Sequence, residues 1–221
     1  VPVVAGTGSN NTAEALELTK HAEAAGADYA LMITPYYNKP TQEGLYQHFK
    51  TIADQTRIPI VVYNVPSRTS VNMLPETVAR LGDFPNIVAI KEATGDLKQC
   101  AKVAELCGDN ITLLSGDDFT VLPLLTIGGK GVISVVSNVT PQDMAGMCDA
   151  FGKGDLETSR KLHYKMWPLM EAMFFETNPA PAKTALKMMG KITGEVRQPL
   201  CPLSKASDDK LRQVLQKYGL I

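Results

Sequence analysis

Two polar side chains each close a continuous apolar run: Tyr63 follows Ile60-Val61-Val62, and Lys91 follows Ile87-Val88-Ala89-Ile90. Such runs read as strands buried on both faces. A lysine ending a buried strand is desolvated, which disfavours the ammonium form. Its free amine is then the nucleophile that Schiff-base chemistry with a carbonyl substrate needs. In the plainer reading, Lys91 snorkels out of the strand end and pairs with a neighbour such as Glu92. If the two strands are adjacent, the Tyr63 phenol comes within reach to move protons around a carbinolamine. Arg68, on the loop just after Tyr63, carries the fork that holds a carboxylate.

Those residues need strand ends to carry them, and the chain supplies strands and helices in alternation. Apolar runs at 1–5, 29–33, 59–62, 87–90, 111–114 and 132–135 read as six strands. Between them, Asn11 with Glu14 three positions on resembles a capping box, opening a helix with Leu18, Ala22 and Ala25 on one side and Gly26 at its end. Thr41 opens a helix whose Leu45, Phe49, Ile52 and Ala53 share a face. Further helices begin near Pro75, Asp96 and Thr140-Pro141, and Gly128-Gly129 closes the helix before the sixth strand. Repeated strand-helix pairs imply parallel strands joined by helical crossovers, in an open doubly wound sheet or a closed barrel. No strand leads into Gly-x-Gly-x-x-Gly, whereas Tyr37, Tyr63, Lys91, Gly116 and Ser134 gather at the carboxyl ends of strands, where barrels build their sites. The expectation is therefore an α/β chain of the (β/α)8 TIM barrel class. Residues 1–154 form six βα units and residues 155–221 a C-terminal three-helix region. In that region Met166, Met170 and Met173 make a stripe best read as core, and the last helix starts at Ser207.

Composition narrows the partners. With 22 Lys+Arg against 23 Asp+Glu and no long run of either sign, there is no electrostatic footprint for nucleic acid or an anionic membrane. No apolar stretch approaches a bilayer span, and the first residues lack a basic signal segment, so a cytoplasmic location is expected. The four cysteines have no Cys-x-x-Cys spacing and the three histidines fall on separate expected helices. Neither a metal site nor a disulfide framework follows, and buried free thiols are expected.

The strings Gly6-Thr7-Gly8-Ser9-Asn10, Thr34-Pro35-Tyr36-Tyr37-Asn38, Tyr63-Asn64-Val65-Pro66-Ser67-Arg68-Thr69, Ile90-Lys91-Glu92-Ala93-Thr94-Gly95, Leu114-Ser115-Gly116-Asp117-Asp118 and Gly131-Val132-Ile133-Ser134 resemble, in order and spacing, those of the dihydrodipicolinate synthase family. That family belongs to the pyruvate-dependent class I aldolase and N-acetylneuraminate lyase superfamily. The likeness runs from Val1 to the C-terminus.

By that resemblance, Lys91 captures pyruvate as an imine and Tyr63 moves protons on it. Tyr37 is a relay tyrosine reaching into a neighbouring subunit's site. Arg68 receives the carboxylate of aspartate semialdehyde, and the backbones of Gly116 and Ile133 line the pyruvate pocket. The imine serves as the electron sink, so the resemblance implies no metal or organic cofactor. It also implies a homotetramer built as a dimer of dimers, with lysine as a feedback effector at Asn10, Glu14 and Tyr36. Family members begin with about two further βα units, including a Gly-Gly-Thr-Thr-Gly-Glu string without counterpart here. The implied barrel strands are thus the third to eighth, and these 221 residues alone are expected to be poorly active. N-acetylneuraminate lyase, ketodeoxygluconate aldolase and a non-catalytic metabolite-binding barrel remain alternatives, with Arg68 within Pro66-Ser67-Arg68-Thr69 favouring a small carboxylated aldehyde over a sugar.

Overall fold

The computed structural model describes residues 1–221, which divide into two compact units, Val1–Ile133 and Ser134–Ile221. The first holds six strands, β1 (Val4–Gly6), β2 (Tyr29–Ile33), β3 (Ile60–Asn64), β4 (Ile87–Glu92), β5 (Thr112–Ser115) and β6 (Gly131–Val132). Its helices are α1 (Thr12–Ala24), α2 (Gln42–Ala53), α3 (Pro66–Thr69), α4 (Pro75–Leu81), α5 (Leu97–Cys107) and α6 (Val121–Thr126). Every neighbouring strand pair is parallel and the spatial order is β1-β2-β3-β4-β5-β6. This order contains no reversal, so the sheet lacks the switch point at which doubly wound folds bind dinucleotides.

One sheet face, through Ala30, Met32, Ile60, Val62, Ile90 and Leu113, packs with the helices into a single apolar core. From α2, Leu45, Phe49, Ile52 and Ala53 enter this core, as their spacing implied. On α1 the buried residues are Ala15, Thr19 and Ala22, while Leu18 and Ala25 face outward, which corrects the expected stripe. Thr19 decides that rotation, because its Oγ1 meets Thr7 Oγ1 at 3.0 Å and Ala15 O at 2.7 Å in the interior. The capping box is also rearranged. Asn11 accepts from Ala13 N and Glu14 N, but the Glu14 carboxylate accepts from Ser9 Oγ at 2.8 Å, and it is Ser9 Oγ that takes the Asn11 N–H.

The sixth strand is shorter than the apolar run suggested. Ser134 Oγ accepts from Ser137 N at 2.8 Å and Ser137 Oγ donates to Ser134 O, which winds the chain into a 3-10 turn at Val136–Asn138 instead of extending it.

The second unit is helical: α7 (Pro141–Gly152), α8 (Leu156–Ala172), α9 (Ala180–Met188) and α10 (Lys205–Tyr218). Helix α7 packs on α8, and α10 packs on both α8 and α9. Met166, Met170 and Met173 are fully buried, so the methionine stripe is core. Helix α10 starts before Ser207, because Ser204 Oγ accepts from Ser207 N and becomes the cap. The thiols divide: Cys100 and Cys107 are buried and Cys148 is partly so, but Cys201 is exposed, contrary to expectation. No helix is long and apolar enough to cross a membrane.

Candidate active site

Because side chains alternate across a strand, residues in register form rows on one sheet face. Ile33, Tyr63, Lys91, Leu114 and Gly131 are successive partners across β2 to β6. Their neighbours Asn64, Glu92 and Ser115 make the adjacent row, and all three are buried. Tyr63 and Lys91 are only partly buried. The chain thus turns its polar strand ends in two directions, one into the helix-covered interior and the other onto the opposite face.

Lys91 Nζ lies 4.0 Å from the centroid of the Tyr63 ring. Burial pulls the Lys91 amine down to about 8, opposed by the carboxylate of Asp118 and assisted by the positive charge of Arg68. Burial pushes the Tyr63 phenol up, and Arg68 acts against that. Both effects place the guanidinium of Arg68 in the electrostatic neighbourhood of phenol and amine. It stands exposed on α3, a single turn that Pro66 opens and Thr69 anchors. The buried Thr69 hydroxyl donates to Val71 O at 3.0 Å and accepts from Thr34 Oγ1 at 3.5 Å, tying the turn to the end of β2.

Glu92 does not pair with Lys91. Its carboxylate points to the opposite face and accepts from Asn64 Nδ2 (3.1 and 3.4 Å), Thr94 N (2.9 Å) and Gln99 Nε2 (3.2 Å). The snorkelling reading of Lys91 therefore loses its partner. Gly116 accommodates the lysine stem: a Cβ there would stand 3.0 Å from both Lys91 Cγ and Cε and 2.7 Å from Ala93 Cβ. The Ile133 amide donates to Ser115 O at 2.9 Å, carrying the β5–β6 ladder one residue past the strand.

Other sequence candidates assemble elsewhere. Tyr37 stands on the loop after β2, 88% exposed and with a left-handed φ of 71°. Asn10 and Tyr36 are bound together: Asn10 Nδ2 donates to Tyr36 O at 3.2 Å, and Asn38 Nδ2 donates to Asn10 O at 2.9 Å. Glu14 is held near them through Ser9. Sequence reasoning gave no role to Asn64, Gln99 and Asp118 and weighed Glu92 only as an ion-pair neighbour of Lys91. Strand alternation alone carried one clue, since a residue next to Lys91 had to face the interior.

The Dihydrodipicolinate synthetase family model matches residues 1–218. A 4-hydroxy-tetrahydrodipicolinate synthase of Thermodesulfovibrio yellowstonii is 63% identical over 221 residues, covering 100% of this chain and 76% of the relative. Among solved structures, dihydrodipicolinate synthase from Thermotoga maritima superposes with a TM-score of 0.98 at 50% identity, covering 100% of this chain and 76% of that one. A DHDPS from Cyanidioschyzon merolae with lysine bound gives a TM-score of 0.96 at 41% identity, covering 100% of this chain and 75% of that one.

Proposed function

The chain belongs to the dihydrodipicolinate synthetase family, and from that membership we infer that Lys91 is the residue that holds pyruvate as an imine. The activity is that of a lyase: pyruvate is condensed with L-aspartate 4-semialdehyde through a lysine Schiff base to give 4-hydroxy-tetrahydrodipicolinate, the first committed step of diaminopimelate and lysine biosynthesis. The observation that carries the residue assignment is the Lys91 amine, pulled down to about 8 and seated 4.0 Å over the Tyr63 ring.

In this scheme the neutral amine attacks the keto carbon of pyruvate, and loss of water from the carbinolamine gives the protonated imine. Tyr63 donates and accepts the protons of those steps. The imine acidifies the pyruvate methyl, and the resulting enamine attacks the aldehyde carbon of the semialdehyde. Cyclisation through the semialdehyde amine then displaces Lys91. The imine is the electron sink throughout, so the scheme needs neither a metal nor an organic cofactor. Arg68, whose charge is felt by both Tyr63 and Lys91, receives the semialdehyde carboxylate. The backbones of Gly116 and Ile133 flank the pyruvate.

The unreversed strand order and helical crossovers suit a closed (β/α)8 barrel, with the row of Tyr63 and Lys91 facing its interior. Tyr37, exposed here, serves as a relay into the site of a second copy within a homotetramer built as a dimer of dimers. Asn10, Glu14 and Tyr36 form a site for lysine as effector, supported by their proximity and by the lysine-bound relative.

Borohydride reduction of the intact protein with pyruvate tests the assignment. A pyruvyl adduct on Lys91, found by peptide mass mapping, is the expected result. An adduct confined to another lysine, or none at all, would overturn it.

A further inference from the structure

We propose that Asn64 and Glu92 form a buried clasp that locks a shifted register between β3 and β4, and that this shift sets Tyr63 opposite Lys91. The proposal rests on the imine chemistry assigned to Lys91 and Tyr63, and adds the residues that position them.

Pairing between the two strands begins with Ile60 opposite Ile87 and then jumps to Val61 opposite Ala89, leaving Val88 unmatched. Carried on without that jump, the register would set Tyr63 against Ile90 and Asn64 against Lys91. The phenol and the amine would no longer share a row. A one-residue slip exchanges faces in a strand, so catalytic geometry at the strand ends depends on the irregularity near their beginnings.

Something must hold β4 in the shifted position, and the hydrogen bonds lie where the strands end. Asn64 Nδ2 reaches both oxygens of Glu92 across the ladder, at 3.1 and 3.4 Å. Asn64 Oδ1 accepts from Met73 N at 3.0 Å, which fixes the amide's orientation, and Asn64 O accepts from Ala93 N at 2.9 Å. On the other side, Thr94 N and Gln99 Nε2 donate to Glu92, and Asn72 joins the network through Gln99 and Asn64. Asn64 and Glu92 are 0% and 1% exposed. Slippage would turn Glu92 off this face, leaving the buried Asn64 amide without its carboxylate and setting the Lys91 amine in the core in its place, the kind of loss that folded chains avoid. Asn64 Nδ2, Thr94 N and Gln99 Nε2 are all neutral donors that point N–H groups at the two Glu92 oxygens, so the network specifies one arrangement.

The test uses the intact protein and three variants. Asn64→Ser removes the cross-strand amide, Glu92→Gln sets an amide donor against donors, and Gln99→Met removes one helix-borne donor while leaving the Asn64–Glu92 bond. For each, thermal unfolding gives stability and borohydride trapping with pyruvate gives the rate of imine formation per folded molecule. Misplacing the reacting groups should slow trapping in Asn64→Ser and Glu92→Gln by about tenfold or more, with Gln99→Met staying within about twofold at a comparable loss of stability. Parent-rate trapping in folded Asn64→Ser or Glu92→Gln would overturn the proposal, as would equal slowing in all three variants. Should Glu92→Gln fail to fold, Asn64→Ser against Gln99→Met still decides. Absence of any adduct in the unaltered protein would instead overturn the assignment of Lys91.

Discussion

At the scale of single residues, the Lys91 amine stands under opposed influences. Burial favours the neutral form, while Asp118 and the face of the Tyr63 ring favour the cation. Burial wins, leaving the amine at about 8 instead of 10.5. At pH 7 roughly a tenth of the molecules then hold a free nucleophile, several hundred times the fraction an ordinary lysine would offer. Replacing Tyr63 with Phe preserves the ring beneath the amine and removes only the hydroxyl. Adduct formation at Lys91 should survive in Tyr63→Phe while turnover falls about 10²- to 10⁴-fold, a split that steady-state rates and trapping together will reveal. A trapped yield that vanishes would mean that the hydroxyl seats the amine. Gly116→Ala makes the complementary case, because its methyl would press on the lysine stem and on Ala93. Slower imine formation is expected there, and an unchanged trapping rate would show that the stem has other room. Lys91 and Tyr63 were legible as strand-end polar residues after apolar runs. Asp118 was not, since nothing in linear spacing tells its buried carboxylate from a solvated one, and Glu92 was marked only by its place next to Lys91 in the strand.

Among the elements, α1 and α2 are joined by His48, whose Nδ1 lies 2.9 Å from Thr12 Oγ1. Burial lowers the His48 imidazole from 6.5 to about 4. Between those values the unfolded chain takes up a proton that the folded chain refuses. Stability from this group is therefore complete above pH 6.5 and lost as pH falls towards 4, by up to about 3 kcal/mol. Denaturant midpoints measured from pH 7 to 4 should decline, and His48→Asn should flatten that decline. An identical slope in the variant would assign the acid sensitivity to other groups. The sequence revealed helix starts well where a side chain caps the turn, as at Asn11, Thr41 and Asp96. It misjudged elements where a side-chain hydrogen bond outweighed the apolar pattern. Thr19 rotated α1 away from the expected Leu18 face, and the paired serines at 134 and 137 cut β6 short.

For the whole molecule, the alternation of apolar runs made the α/β class and the parallel sheet readable, because six runs each stop at a polar residue or a turn. The register between β3 and β4 was hidden, since the clasp joins Asn64 and Asn72 to Glu92 and Gln99 across two stretches that no local periodicity pairs. The motif likeness located Tyr36, Asn10 and Glu14, and the fold gathers them around one loop. If lysine is their ligand, Glu14→Ala should raise the lysine concentration needed for half inhibition by about tenfold or more, since a charge-assisted contact is lost. Unaltered inhibition in that variant would remove Glu14 from the effector site.

All three scales converge on one amine, and the pH dependence of its capture by pyruvate is the most direct test. Trapping at Lys91, followed by peptide mass mapping from pH 6 to 11, should rise with a midpoint near 8. A midpoint at the ordinary lysine value of 10.5, or an adduct formed elsewhere in the chain, would contradict the burial-tuned imine on which the catalytic scheme depends.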